Sequence, residues 1–215
     1  MSSSILVFGA TGRTGQHFVR LLLAKGHNVK GVARDPGKLS IESSRLQIVQ
    51  GSIAEELALD ELLQGVDAVV MLLGDAARQR EGKVNAEFTK RLIPAMRRKR
   101  VSRLLYQAGG FTRPYKQRLP FSLWLLRNTI ARFGGLIGQH EDNEAVIEYL
   151  VEEASDITWV VHRAAIGSDG PSKGTLQRST TRLSVATFRD CADYSYRLLS
   201  DDTAVHTCDL SCYAK

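Results

Sequence analysis

The stretch "FGATGRTG" (Phe8 to Gly15) places Gly9, Gly12 and Gly15 directly after an apolar run, Ser4 to Phe8, and directly before a helical pattern. Side chains are missing at the point where a strand must turn sharply into a helix, and only a close backbone approach or an unusual dihedral calls for that. Few folds need such a turn so early in the chain.

The rest of the chain repeats the same alternation. Apolar runs at Asn28–Ala33, Leu46–Gln50, Asp67–Leu73, Arg103–Gln107 and Ile157–His162 read as strands. Helical periodicity covers Arg13–Lys25, Glu55–Leu63, Val84–Lys99 with Pro94 in its second half, Glu141–Glu153 and a segment near Asp190–Leu199. A last strand is expected around Val205–Cys208. Continuous apolar strands joined by helices require a parallel sheet covered on both faces, so the expected fold is α/β, a doubly wound parallel sheet in one domain over residues 1–215. Two stretches lack periodicity, Ala108–Leu119 and Arg163–Thr181. Both follow strand C-termini, where open α/β sheets bind ligands.

In that frame the glycines acquire a chemical meaning. The N-terminus of a helix offers free N–H groups and the positive end of its dipole to phosphate oxygens, provided no side chain intervenes. Gly9 permits the turn, Gly12 the approach of a diphosphate, and Gly15 close packing of helix on sheet, with Thr11, Arg13 and Thr14 beside them. The spacing is GxxGxxG, looser than the dinucleotide fingerprint GxGxxG, but it occupies the position that the fingerprint requires. The second strand ends "VARDP", putting Arg34 ahead of Asp35. Asp35 before Pro36 reads as the cap of a short turn, which leaves Arg34 to fork onto a ribose 2′-phosphate, so NADP(H) is expected over NAD(H).

Composition narrows the alternatives. Net charge is +6 and "RRKRVSR" (Arg97 to Arg103) is strongly basic, but it closes a helix, where cations complement the dipole, and no nucleic-acid motif accompanies it. A small anionic ligand suits the charge better than nucleic acid. No secretory leader is expected from "MSSSILVFGATG", and the most apolar stretch, Phe121 to Gly138, is interrupted by Arg127 and Arg132, so no membrane partner is expected. Cys191, Cys208 and Cys212 are odd in number and lack CxxC spacing, which points to a reducing cytoplasm and no zinc or other metal site. Oligomeric state is not readable.

"GATGRTG", "VARDP", "GSI" (Gly51 to Ile53), "MLLG" (Met71 to Gly74) and "HRAAIG" (His162 to Gly167) together resemble the atypical short-chain dehydrogenase/reductases. They look most like the small NADPH-dependent flavin reductase/biliverdin reductase B group and the NmrA-like proteins. The resemblance implies a Rossmann fold with NADP(H) over the strand C-termini, adenine near Ser52 and Ile53, and ribose and phosphates near Leu73 and Gly74. The nicotinamide is then expected between Ala108 and the loop carrying Ala164 and Ile166. The chain departs from the pattern in three places. No tyrosine is followed by lysine four residues on, "YQAGGF" lacks a serine or threonine after the fifth strand, and Arg163 is followed by Ala164 rather than proline.

These features point to an NADPH-dependent reductase acting on a flat, conjugated flavin or quinone, since such acceptors need placement more than a side-chain acid. The alternatives are a non-enzymatic NADP(H) sensor of the NmrA-like kind, or an isomerase with a structural nucleotide. Phe111 and Tyr115 are candidate substrate contacts. His140 and Glu144, one helical turn apart, are read with Glu141 and Asp142 as a solvated acidic first turn, and His162 as a core histidine. Trp124 and its leucines are expected to pack on the substrate pocket rather than to form a membrane or partner surface.

Overall fold

The computed structural model describes residues 2–214. Strands β1 (Ser4–Phe8), β2 (Asn28–Ala33), β3 (Leu46–Gln50), β4 (Ala68–Met71), β5 (Arg103–Gly109) and β6 (Thr158–Ser168) pair in parallel in the order β3-β2-β1-β4-β5-β6. The order reverses between β1 and β4, so the C-terminal ends of these strands flank the crevice where open α/β sheets hold ligands.

Alternating side chains on each strand feed two cores. Leu6, Phe8, Val69 and Met71 point to the layer containing α2 (Leu59–Leu62), α4 (Val84–Lys99) and α6 (Ile137–Glu153). Ile5, Val7 and Val70 point to the layer containing α1 (Arg13–Ala24) and α7 (Phe188–Leu198). Both faces are therefore dry, as a parallel sheet demands.

Several elements differ from the sequence expectation. The sheet is not wholly parallel: β9 (Cys208–Tyr213) runs parallel to β6, and β7 (Leu176–Ser179) closes the edge antiparallel to β9. β9 starts where the last strand was expected to end, because Val205 and His206 form a turn after a short 3-10 segment, with His206 at φ 59°. The helix expected from Glu55 is only α2; ahead of it the chain makes tight turns, with the Glu55 amide on the Ser52 carbonyl and the Leu59 amide on the Leu57 carbonyl, and Arg91 holds the Ile53 and Glu55 carbonyls. β6 continues past His162 because Ala108 and Gly109 of β5 pair with Arg163 and Ala164, and β8 (Val185–Thr187) pairs with Ala165–Ser168. An additional helix, α3 (Ala76–Glu81), follows β4, and α6 starts four residues before Glu141.

The helix carrying Trp124 is the largest departure. α5 (Phe121–Leu126) runs on through a π-helical turn, Arg127–Ala131, and only Leu123, Arg127 and Ala131 are buried along it. Its remaining apolar side chains face outward rather than into a pocket.

The glycine turn is held by backbone packing. A Cβ on Gly15 would lie 2.0 Å from the Gly9 carbonyl oxygen, and one on Gly9, at φ +85°, would lie 2.4 Å from the Leu72 carbonyl oxygen. In an unhindered helix Gly to Ala gains about 1 kcal/mol. At Gly15 the clash is with backbone that cannot rotate away, so Gly15→Ala is expected to lose about 3 kcal/mol or more in urea unfolding. A stabilised or unchanged variant would contradict this packing.

Candidate functional site

Two cavities of about 430 and 520 Å³ lie over the strand C-termini. Gly12, Leu72, Leu73 and Gly74 line both, so the cavities meet at the glycine turn and form one bent cleft. At that junction α1 begins with no side-chain cap and no acidic residue in its first turn. The first amides of a helix lack intrahelical acceptors, and Arg13 and Thr14, which open α1, line the second cavity with no local carboxylate or hydroxyl cap. This is what an incoming diphosphate needs, so the residues present fit a dinucleotide.

The first cavity is lined by Gly9, Thr11, Gly12, Arg34, Ser52, Ile53, Leu73 and Gly74, and also by Lys38, Asp75 and Arg78. Asp35 accepts from the Gly37 amide and caps the short turn at Pro36, as its sequence context suggested. Arg34 is exposed and donates to Asp75 at 2.9 Å, while Arg78 donates to Ser52 Oγ. Burial works to raise the Asp75 carboxyl, but the Arg78 amide and the Arg34 guanidinium outweigh it, and the group titrates below the usual carboxylate range.

The second cavity takes in Gly12, Arg13, Thr14, Ala108, Phe111, Ala164 and Ile166, together with Gly109, Gln139 and His140. Arg13 therefore sits at this end, 3.6 Å from Asp169 and over the Phe188 ring, rather than beside Arg34. Gly15 lines neither cavity and acts beneath the turn. Tyr115 does not line the cleft either; its hydroxyl bonds Glu152 on α6 and its ring packs on the core.

The acidic turn expected at the start of α6 is a buried polar cluster instead. Asp142, wholly buried, accepts from the amides of Asn85 and Ala86 at 3.0 Å and from Gln79 at 2.8 Å. It caps α4, whose own N-cap residue, Lys83, makes no side-chain cap. Gln79 in turn accepts from the Asp75 amide, tying the first cavity to the cluster. Glu144 holds Arg113 at 2.7 Å and also Arg127, which outweigh its burial and keep its carboxyl below the usual range.

A chain of hydrogen bonds runs toward His140. Asn85 Nδ2 donates to the Tyr106 hydroxyl, which donates to Asn143 Oδ1, and Asn143 Nδ2 donates to Thr112 Oγ1. Thr112 Oγ1 lies 3.1 Å from His140 Nδ1. The Thr112 hydroxyl keeps a second lone pair after accepting from Asn143, so it holds the ring at Nδ1 in either tautomer, with Nε2 on the far side of the ring. Among the described residues, that buried Nε2 has no partner. A Cβ on Gly109 would fall 2.6 Å from the ring, so only glycine lets His140 form this part of the wall. Sequence spacing had exposed the pair His140 and Glu144, but the partners that matter come from β5 and α4, which spacing cannot reveal.

The other candidate groups are structural. His162 is buried between the hydroxyls of Ser195 and Ser211, and burial lowers its pKa to about 3. Cys191, Cys208 and Cys212 are free, and burial pushes the Cys191 and Cys208 thiols up to about 12. Among the described residues there is no group of side chains that would hold a metal ion, and no helix long and apolar enough to cross a membrane.

A sequence profile of the NAD(P)H-binding family matches residues 9–202. The chain is 38% identical over 82 residues to a (4-alkanoyl-5-oxo-2,5-dihydrofuran-3-yl)methyl phosphate reductase of Streptomyces griseus, covering 38% of this chain and 29% of that protein. It is 33% identical over 117 residues to a 3-beta-hydroxysteroid dehydrogenase of Mycolicibacterium neoaurum, covering 49% of this chain and 32% of that protein. The chain thus spans less than a third of the length of these curated relatives. A wide-type short-chain dehydrogenase/reductase of Veillonella parvula, solved in complex with NADP, superposes with a TM-score of 0.71 at 16% identity, covering 98% of this chain and 94% of that one. At that identity the likeness is one of fold.

Burial, followed by the Arg127 guanidinium, lowers the His140 pKa to about 4 against the opposing pull of Glu144, so the imidazole is neutral at neutral pH. An unfolded histidine titrates near 6.5, and the unfolded chain therefore takes up its proton first as pH falls. The His140 contribution to stability is complete above about pH 6.5 and is lost as pH falls through about 4. Urea midpoints are expected to drop steadily between about pH 7 and about pH 4.5, and less steeply in His140→Gln. Equal slopes for the two proteins would contradict a buried neutral imidazole.

Proposed function

The chain belongs to the NAD(P)H-binding family, and from that premise we propose that it is an NADP(H)-dependent reductase passing hydride to a flat, conjugated acceptor of the flavin or quinone type. The observation that carries the reading is the bent cleft itself. Its halves join at an uncapped helix N-terminus, and His140 lines the far half.

In this reading the amides of Arg13 and Thr14 take the diphosphate, and Ser52, Ile53, Leu73 and Gly74 flank the adenosine half. Arg34, Lys38 and Arg78 supply three cations around that half, which favours a 2′-phosphate. Asp35 is engaged by its own turn and Asp75 by Arg34, so neither carboxylate is free to claim a ribose hydroxyl without breaking a bond. Binding of a 2′-phosphate draws Arg34 from Asp75 to the stronger anion.

When bound, the reduced nicotinamide supplies the hydride. The protein supplies placement: Ala108, Ala164 and Ile166 line this half as an apolar wall, Gly109 gives its Cβ space to the His140 ring and Gly110 to Leu183, and Phe111 completes the lining. In this reading the neutral His140 imidazole, once an acceptor reaches its Nε2, hydrogen-bonds the oxygen or nitrogen at which hydride arrival creates negative charge. The one proton that completes the reduction comes from solvent. The three free thiols fit a reducing cytoplasm.

NADPH oxidation is expected with FMN, dichlorophenolindophenol or simple quinones. Arg34→Ala is expected to weaken NADPH binding about tenfold or more while leaving NADH nearly unchanged. Tight NADPH binding without turnover on any such acceptor would favour the sensor or the isomerase reading, and equal affinity for NADH and NADPH would remove the role given to Arg34.

A further inference from the structure

The outward face of the helix at 121–133 has no partner in the fold. Phe121 is 76% exposed, Ile130 62% and Phe133 90%, and Trp124 stacks on Phe121 with ring centroids 5.8 Å apart. Scattered exposed apolar residues are ordinary, but aromatic and aliphatic side chains gathered on one helix face mark an interaction surface.

The charge around this face selects the partner. Residues 111–133 carry Arg113, Lys116, Arg118, Arg127 and Arg132 and no Asp or Glu. Arg113 and Arg127 are tied to Glu144, and Lys116 lies near Glu152, whereas Arg118 and Arg132 are exposed and in no ion pair among the described residues. Two copies meeting through this face would bring like charges together while burying the apolar side chains, which disfavours self-association. An anionic lipid surface satisfies both parts at once: phenylalanine and tryptophan enter the headgroup boundary, and arginines remain among the phosphates.

We propose that the helix at 121–133 docks the protein reversibly on anionic membrane surfaces. The contact is peripheral, since no helix among the described residues is long and apolar enough to span a bilayer. Leu136 and Gln139, just beyond this helix, line the second cavity, so docking brings that end of the cleft close to the lipid. The consequence that a membrane-dissolved acceptor gains easier entry rests on the reductase reading above; the docking itself does not.

The test is flotation of the full chain with vesicles of equimolar phosphatidylcholine and phosphatidylglycerol, against vesicles of phosphatidylcholine alone. Binding is expected only to the anionic vesicles and is expected to weaken as salt is raised. The double variant Phe121→Ser with Phe133→Ser, and separately Arg118→Glu with Arg132→Glu, is expected to lower the bound fraction about tenfold. NADPH affinity and circular dichroism, measured on the same preparations, are expected to match the parent chain, which keeps the outcome separate from any failure of the reductase reading. Absence of flotation with anionic vesicles, or equal flotation of parent and variants, would overturn the proposal. So would a Phe121-dependent dimer in sedimentation velocity, which would assign the face to a second copy.

Discussion

The contact between α1 and the ends of β1 and β4 governs everything built above it. The Gly9 carbonyl accepts the Gly12 amide at 3.0 Å and lies directly beneath Gly15, while Gly9 itself rests on the Leu72 carbonyl. No side chain fits between these backbones. The first turn of α1 is thereby pressed over the crevice between β1 and β4, and Gly12 at its start lines both cavities. Had Gly15 been any other residue, the helix would stand off the sheet and its amides would point elsewhere. Packing at one position and ligand chemistry at the next are consequences of the same missing Cβ atoms.

A second, buried constraint fixes the far end of the cleft. Asp142 caps α4 from another helix, and the Asn85, Tyr106, Asn143, Thr112 chain orients His140 from below. Arg163 adds a bond from its guanidinium to the Thr112 carbonyl, so β6 holds the same residue in place. Every member is buried, and such networks rigidify a site only when satisfied throughout. Within this chain of bonds the His140 Nε2 is left without a protein partner, and it belongs to a residue that lines the second cavity, as does Gln107, whose buried Oε1 is also unpartnered.

Local signals made the fold legible. Apolar runs identified β1 to β6 in order, and the glycines with the "VARDP" end pointed to residues that line the first cavity, because those features depend on neighbours in sequence. β9 was misplaced because Asp209 and Ser211 break its apolar run; Ser211 is buried against His162 in a bond that sequence does not display. Asp142 looked like a solvated helix-start residue because its partners, Asn85 and Ala86, lie more than fifty positions away. The outward turn of Trp124 was equally hidden, since an apolar helix face reads alike whether it meets a pocket or solvent.

Backbone amides at the start of α1 are the centre of this account, and they can be observed directly. In a ¹⁵N-resolved NMR titration with NADPH, the amides of Gly12, Arg13 and Thr14 are expected to shift most, together with those of Leu73 and Gly74 and in proportion to occupancy. Saturable NADPH binding that leaves the Gly12 to Thr14 amides unmoved, or no binding at all, would contradict it.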